Sequence, residues 1–495
     1  MTAMMSYGRA LAYHAEVDPM RMAITVGDVS VTRAELEASS NRLARALADR
    51  GVREADLVTL ALPNSVAVYD FTLAVLKLGA IPQPVSSRLP VRELAAIVEL
   101  ADPRLVVGGT SEVAGGRPIL PADYSAPTDL DPSQLPDRVS PSWKAPTSGG
   151  STGRPKLIID ATPALLDPTA PNGYGDQIDG VQLVTCPLYH NGPFGYSIRG
   201  LLTGNHQVVM HRFDPEETLR LIERHKVDWT MIVPSMMNRI WRLPAETRKS
   251  YDLGSLRRIW HMAGPCAPWL KEAWIDWLGP ELIWELYGAS EQIAATVISG
   301  TEWLAHRGSV GQTMFGEIQI RDSDGEIAPP GTVGGIYMRA PGNAVTYTYR
   351  GAETDKDADG WQTVGDIGWM DADGYLYLSD RRVDMIVSGG QNIYPAEVEA
   401  ALDEHPAVLG SAVVGLPDTD LGNVTHAVVQ IEPGAEPDVE ELRAFVGERL
   451  VRYKVPRTLE FVTTPLRDDS GKIRRGAIRQ ARLDQLAEAA FPARG

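Results

Sequence analysis

Apolar and polar positions in residues 32–110 alternate between two periods. Thr32–Asp49 has apolar spacing near the helical repeat, Leu57–Leu62 is a short apolar run, and Val66–Lys77 returns to the helical repeat. The pattern predicts helix, buried strand and helix. Residues 181–288 repeat the theme with VQLVTCPL, a Gly-rich turn, HQVVMHRF, the helical DPEETLRLIERH, then DWTMIVP, RRIWHMA and ELIWELYG. Strands alternating with helices of this length predict a layered α/β body. The Pro-, Asp- and Ser-rich stretch from Gly115 to Pro146 reads as surface loop. From about 308 to 380 short β-like runs are split by Asp324-Gly325, Asp359-Gly360 and Asp373-Gly374, pairs that favour tight turns. A β-rich subdomain is expected there. Past Arg382 a compact α/β pattern begins, with helices near Pro395–Leu402 and Val439–Leu450. The expected domains are therefore 1–382 and 383–495, with the boundary near Arg381–Asp384.

Composition narrows the class. A chain of 495 residues is too long for one small core. Its 44% hydrophobic and 22% charged residues are ordinary for a globular protein. No apolar run approaches the ~18 residues that span a bilayer, and the N-terminus lacks a basic segment followed by an apolar one, so no secretory signal is expected. Two cysteines, Cys186 and Cys266, build no disulfide framework, and a reducing cytoplasm fits. Cys186 ends an apolar strand and reads as a buried structural thiol. A net charge of -17 argues against a general nucleic-acid binder. A phosphate ligand would have to be held by local amides, a few cations and Mg2+ instead of a broad positive field.

The strongest local signal is Thr147-Ser148-Gly149-Gly150-Ser151-Thr152-Gly153-Arg154-Pro155-Lys156. Three glycines let backbone N–H groups approach phosphate oxygens, the hydroxyls add donors and Lys156 adds charge. Alone, the run also fits a flexible Ser/Gly linker. It lacks the Gly-Lys-Ser/Thr ending of a Walker A loop, and the chain has no GxGxxG. Tyr287-Gly288-Ala289-Ser290-Glu291 follows the strand-like ELIWEL. Gly365-Asp366 sits in GWQTVGDIGWMDADGYLYLSDRR, and Asp384-Met-Ile-Val-Ser388-Gly389-Gly390-Gln-Asn-Ile-Tyr-Pro-Ala-Glu-Val-Glu399 follows. Ser470-Gly471-Lys472-Ile473 comes last.

In this order the motifs resemble the adenylate-forming superfamily, which includes acyl- and aryl-CoA synthetases, firefly luciferase and peptide-synthetase adenylation domains. The resemblance runs from residue 147 to 473. It implies an α/β fold with a large N-terminal domain of layered α/β subdomains, a small β-barrel-like subdomain and a small, mobile C-terminal α+β domain. Residues 147–153 and Lys156 would cradle ATP phosphates. Tyr287, Gly288 and Ala289 would line the adenine side with Gly264. Ser290 would touch the α-phosphate, Glu291 would bind Mg2+, Asp366 and Arg381 would take the ribose, and Lys472 would be catalytic. Ser388, Gly389 and Gly390 would line the CoA tunnel, and Val383 would be the hinge. Three departures stand out: Val364 where Thr is usual, Val383 where Asp or Lys is common, and Leu466-Arg467-Asp468 where many relatives have Pro-Arg-Thr.

The implied chemistry is attack of a carboxylate on the α-phosphorus of ATP, giving acyl-AMP and pyrophosphate, then thioester formation with CoA. It needs no side-chain nucleophile, only donors aimed at phosphate charge. His190, Asn191 and Phe194 of PLYHNGPFG are expected to line the acid pocket. His261, Met262, Ala263 and Gly264 would form a second wall. Some bile-acid and other bulky-acid CoA ligases look similar around TSGGSTGRPKLI and YHNGP, which favours an aromatic, polycyclic or medium-chain acid over acetate. The expected partners are this acid, ATP, Mg2+ and CoA. Loading of a carrier protein is the alternative within enzymes, and a non-catalytic ligand-binding homologue is the alternative of another class. No nucleic acid and no membrane span are expected, and assembly as a homodimer stays open.

Overall fold

The computed structural model describes residues 4–149, 155–171, 178–381, 384–435, 437–468 and 471–490. Gly150, Ser151, Thr152, Gly153, Val383 and Ser470 fall outside them.

The predicted helix at 33–49 forms because its start is chemically marked. Thr32 Oγ1 accepts from Glu35 N at 3.2 Å and Glu35 Oε2 accepts from Thr32 N at 2.8 Å, a reciprocal capping box. The helix Val66–Lys77 spans the predicted residues and is buried along most of its length. It packs against the first helix. Beneath lies a four-stranded parallel sheet ordered Ile81–Pro84, Leu57–Leu60, Leu105–Val107, Ile119–Leu120.

A second, thirteen-stranded sheet forms the spine. Its parallel part runs Met22–Val26, His206–Val209, Val181–Val184, Trp229–Ile232, Arg258–His261, Ile283–Gly288. These strands read as continuous apolar runs because helices cover both faces. The chain leaves Val181–Val184 for the neighbour on one side, His206–Val209, and then crosses to Trp229–Ile232 on the other. Strand order reverses there, and in open α/β sheets such a reversal opens a ligand crevice at the carboxyl ends of the strands.

The β-rich segment continues this sheet. Ala295–Ser299 and Ser309–Phe315 carry it on antiparallel to Leu376–Arg381, Asp366–Met370, Gly334–Arg339 and Glu317–Arg321. The described strands follow an open order joined to the central sheet, which refines the barrel-like expectation. Tyr347–Arg350 leaves this series and pairs with Pro155–Asp160.

Residues 384–490 have their own core, centred on Ile393, Val398, Leu402, Val413, Val429, Leu442 and Val446. The strands Gly410–Asp418 and Gly422–Gln430 are antiparallel, and Thr458–Val462 adds in parallel. The helices Pro395–Asp403 and Val439–Gly447 fall where the apolar pattern placed them. No helix among the described residues is long and apolar enough to cross a membrane.

One sequence expectation is corrected. The loop reaching Pro146 is not surface along its whole length, because Ser140, Ser142, Trp143, Lys144 and Ala145 are each at most 3% exposed. The chain dives through the interior here to reach Thr147.

Candidate active site

Three predicted segments sit at the carboxyl ends of strands in the parallel part of the large sheet. His190 follows Val181–Val184, Ala263 follows Arg258–His261, and Ser290 and Glu291 follow Ile283–Gly288. The phosphate loop enters from the side as a hairpin. Thr147 lies opposite Leu157, Ser148 opposite Lys156 and Gly149 opposite Pro155. Gln83 Nε2 donates to Thr147 Oγ1 at 3.3 Å.

Lys156 reaches from this hairpin to Glu291. Its Nζ lies 3.2 Å from Glu291 Oε1 and donates to Tyr349 OH at 2.7 Å, and that hydroxyl donates to the same Oε1 at 2.5 Å. Glu291 is 6% exposed. Burial and the adjacent carboxylate push the Tyr349 hydroxyl pKa up, so it stays a neutral donor. One buried carboxylate suits Mg2+, which takes one or two protein carboxylates and completes its shell with water and substrate phosphates. The donor set fits a metal carried with a nucleotide. Tyr349 carried no motif signal, and only the pairing of Tyr347–Arg350 with Pro155–Asp160 brings it in.

Tyr287 and Asp366 meet across the sheet, with Tyr287 OH donating to Asp366 Oδ2 at 2.7 Å. Gly365 turns the chain into Asp366 with φ +89°. The backbone of Arg381 lies opposite Asp366 in the ladder. Gly288 is the close-packed end of its strand, where a Cβ would come within 3.2 Å of the Ala295 Cβ. Ala289 and Ser290 are half-buried in the turn that follows.

The acid-pocket expectations separate into two groups. His190 stands at the N-cap position of the helix Asn191–Leu202, is half-buried, and among the described residues has no hydrogen-bond partner at Nε2. Gly192 on the same helix faces the sulfurs of Met231 and Met262 at 3.6 and 3.8 Å from a built Cβ. Ala263 is exposed with φ +72°, and Gly264 beside it opens onto free space. Phe194, in contrast, is fully buried and stacks on Trp143 with centroids 6.4 Å apart. It supports the wall from behind. His261 and Met262 are likewise buried, at 0% and 7% exposure, so only Ala263 and Gly264 of that segment face outward. Cys186 behaves as expected: it is buried and its thiol is pushed up to about 12 by burial.

Asn191 leads to a group the sequence did not mark. Lys144 Nζ donates to Asn191 Oδ1 and lies 3.6 Å from Asp160 Oδ2. Gln292 Nε2 donates to that same Asp160 oxygen. Gln292 follows Glu291 directly and holds φ +53°, a costly conformation for a non-glycine residue. One buried lysine thus ties the helix start at His190, the phosphate-loop hairpin and the Glu291 turn together. Burial lowers Lys144 to about 8, against the upward pull of Asp160. Its only trace in the sequence is a lysine in the Pro- and Ser-rich PSWKAP.

Lys472 comes to this cleft from the C-terminal residues. Its turn is closed by Gly471 N donating to Asp468 O at 2.8 Å and Asp468 N to Lys472 O at 2.9 Å. Gly471 has φ +78°, and a Cβ there would lie 2.7 Å from Ser235 Oγ and 3.1 Å from Val233 Cγ2. Only glycine permits this approach to the end of Trp229–Ile232. Lys472 then stands near enough to His190 that burial and its charge together hold the imidazole at about 4, with Asp468 pulling the other way. Gly389 and Gly390, with φ +53° and +78°, form the two-residue turn of the hairpin Ile386–Ser388 to Gln391–Ile393, where Ser388 faces Gln391. This hairpin packs on Leu421 and Asn423 of its own domain.

The AMP-binding enzyme family matches residues 11–348, and the AMP-binding enzyme C-terminal domain matches residues 397–472. A feruloyl-CoA synthase from an Amycolatopsis species is 32% identical over 485 residues, covering 94% of this chain and 97% of its own. A 2-succinylbenzoate–CoA ligase from Geobacillus kaustophilus is 31% identical, covering 95% and 97%. The solved o-succinylbenzoate CoA synthetase of Bacillus subtilis, in complex with its acyl-adenylate intermediate, superposes with a TM-score of 0.81 at 26% identity, covering 96% and 98%. By these matches the chain belongs to the AMP-binding enzyme family.

Proposed function

We propose that this chain is an ATP-dependent carboxylate–CoA ligase acting on a bulky, aromatic acid. The observation that carries the reading is the docking of the Gly471–Lys472 turn on Val233 and Ser235, which brings a cation from the far end of the chain beside His190. In the first step a carboxylate oxygen bonds to the α-phosphorus of ATP, and the bond from that phosphorus to pyrophosphate breaks. Lys472 and Lys156 offset charge gathering on the phosphate oxygens, as do the hydroxyls and amides of 147–153 and Ser290 in the turn that carries Glu291. A bound Mg2+ on Glu291 would supply further positive charge to the phosphates. Tyr287 and Asp366 hold the nucleoside. In the second step the CoA sulfur bonds to the acyl carbon and AMP departs with the electron pair, with Ser388, Gly389 and Gly390 along the thiol's path. Preorganised charge of this kind is the main source of rate in such a site.

Support for an aromatic acid comes from the feruloyl and succinylbenzoate relatives. The glycine at 192 and the methionine sulfurs behind it would accept a flat ring. We place the domain boundary at 382/383 with Val383 as hinge, and the protein in the cytoplasm, where its two free cysteines stay reduced.

The test is ATP–pyrophosphate exchange over aliphatic, aromatic and steroidal acids, with CoA and holo carrier protein compared as acceptors. Exchange should depend on an aromatic acid. Lys472→Ala should lower it by about 100-fold or more, the loss typical of one key transition-state donor. Thioester formation from supplied acyl-AMP should suffer less. No acid-dependent exchange across the panel, or equal loss in both half-reactions, overturns the assignment.

A further inference from the structure

The turn that carries Lys472 is held from outside the cleft. Arg467 Nη1 donates to Gly471 O at 3.2 Å. Its Nη2 lies 3.9 Å from Glu399 Oε2 and 3.8 Å from Asp403 Oδ2. Both acids belong to the helix Pro395–Asp403, and both are pinned within their own domain. Arg475 Nη2 donates to Glu399 Oε2 at 2.6 Å, and Ser411 Oγ donates to Asp403 Oδ1 at 2.6 Å. The placement of Lys472 therefore follows the placement of this helix.

The C-terminal end of that helix is fastened to the other domain by Arg242. Arg242, at the end of the helix Pro234–Trp241, donates from Nη1 to Pro406 O at 3.1 Å and from Nη2 to Val408 O and, at 3.5 Å, to Asp403 O. Its Nε donates to Asn238 Oδ1 at 3.2 Å, which sets the plane of the guanidinium. Of these acceptors Asp403 O is the last carbonyl of the helix, where intrahelical partners run out and partial negative charge gathers, and Pro406 O and Val408 O belong to the segment that follows. A planar cation with several donors is a strong match for them. A second bridge, Arg474 to Glu93 at 3.8 Å, joins side chains 63% and 41% exposed, and contributes little on that account.

We propose that Arg242 is a positioning residue for the adenylation step: it locks the helix Pro395–Asp403 against the N-terminal domain, and through Arg467 it fixes where Lys472 stands over the cleft. The inference rests on Lys472 serving the first half-reaction. The hydrogen bonds of Arg242 go to Asn238, Asp403, Pro406 and Val408, so its loss lowers the fraction of molecules with Lys472 in place and leaves acid and nucleotide binding alone. Charge-assisted hydrogen bonds to carbonyls are each worth about tenfold in an equilibrium, so loss of the clamp should lower adenylation by about tenfold or more.

The variants are Arg242→Met, Arg242→Lys and Asn238→Ala. For each, kcat and KM of acid-dependent pyrophosphate exchange are measured, together with thioester formation from supplied acyl-AMP and the thermal midpoint. A readout independent of activity is crosslinking of Glu93→Cys with Arg474→Cys by a short bis-maleimide, with and without Arg242→Met. The expected result is a drop in exchange kcat of about tenfold for Arg242→Met with KM for the acid held within twofold. Thioester formation should be unchanged, crosslink yield should fall, and recovery by Arg242→Lys should be partial. Should Arg242→Met not fold, Arg242→Lys and Asn238→Ala carry the same comparison with smaller losses. An unchanged exchange kcat, an equal fall in both half-reactions, a shift confined to KM or an undiminished crosslink overturns the proposal. Absence of exchange in the unsubstituted protein would instead strike the ligase assignment, and the crosslink yield alone would then decide the role of Arg242.

Discussion

Replacing Lys144 by methionine should destabilise the N-terminal domain more than any surface lysine would, for a reason that lies in its partner. Lys144 and Asp160 are each 3% exposed and lie 3.6 Å apart. At an effective dielectric near 20, that separation corresponds to an attraction of about 4–5 kcal/mol. Burial already disfavours the charged lysine, whose pKa falls to about 8, so the net worth of the pair at neutral pH is small. The substitution acts by leaving Asp160 buried without its cation, and removing one member of such a pair typically costs about 3–5 kcal/mol. Asp160 keeps donors from Gln292 Nε2 and from Thr162 N at 2.8 Å, which places the expected loss near the lower end. Lys144→Met with Asp160→Asn should recover at least half of it, since an amide oxygen still accepts from Gln292. Urea unfolding followed by tryptophan fluorescence is a suitable assay, because the Trp143 ring lies 4.4 Å from Lys144 Nζ. Two results would refute the reasoning: a single variant within about 1 kcal/mol of the parent, or a double variant less stable than the single one.

His190 should titrate near 4, not near its ordinary 6.5. The unfolded chain then takes up a proton between those values that the folded chain refuses, so stability contributed by this group is complete above pH 6.5 and is lost as pH falls toward 4. Ring NMR shifts of His190 followed against pH check this, and a midpoint near 6.5 contradicts it. In Lys472→Ala the midpoint should rise while staying below 6.5, because burial, the larger cause, remains. Tyr287→Phe removes the 2.7 Å bond to Asp366 and should raise KM for ATP by about two- to tenfold with kcat little changed, as seen in initial-rate kinetics. Glu291→Gln should raise the Mg2+ concentration for half-maximal exchange by more than about tenfold, since a neutral amide oxygen is a much weaker Mg2+ ligand than a carboxylate. An unchanged Mg2+ requirement would remove Glu291 from the metal site.

The sequence by itself determined the elements and the order of the chemistry. Capping at Thr32, apolar runs such as Leu57–Leu60 and the turn glycines 365, 389 and 390 act over a few residues, so they are legible in one dimension. The motif residues Lys156, Tyr287, Glu291, Asp366 and Lys472 are marked in the sequence by the resemblance of their short, ordered motifs to the adenylate-forming superfamily. What only the tertiary structure decided is which side chains share an environment. Phe194 moved from the pocket wall to the core because Trp143 covers it, and Lys144, Tyr349, Arg242 and Arg467 gained roles through partners that include residues up to 193 positions away along the chain. Burial and long-range pairing depend on how separate segments pack, and a buried lysine in PSWKAP looks, in the sequence, the same as a solvated one.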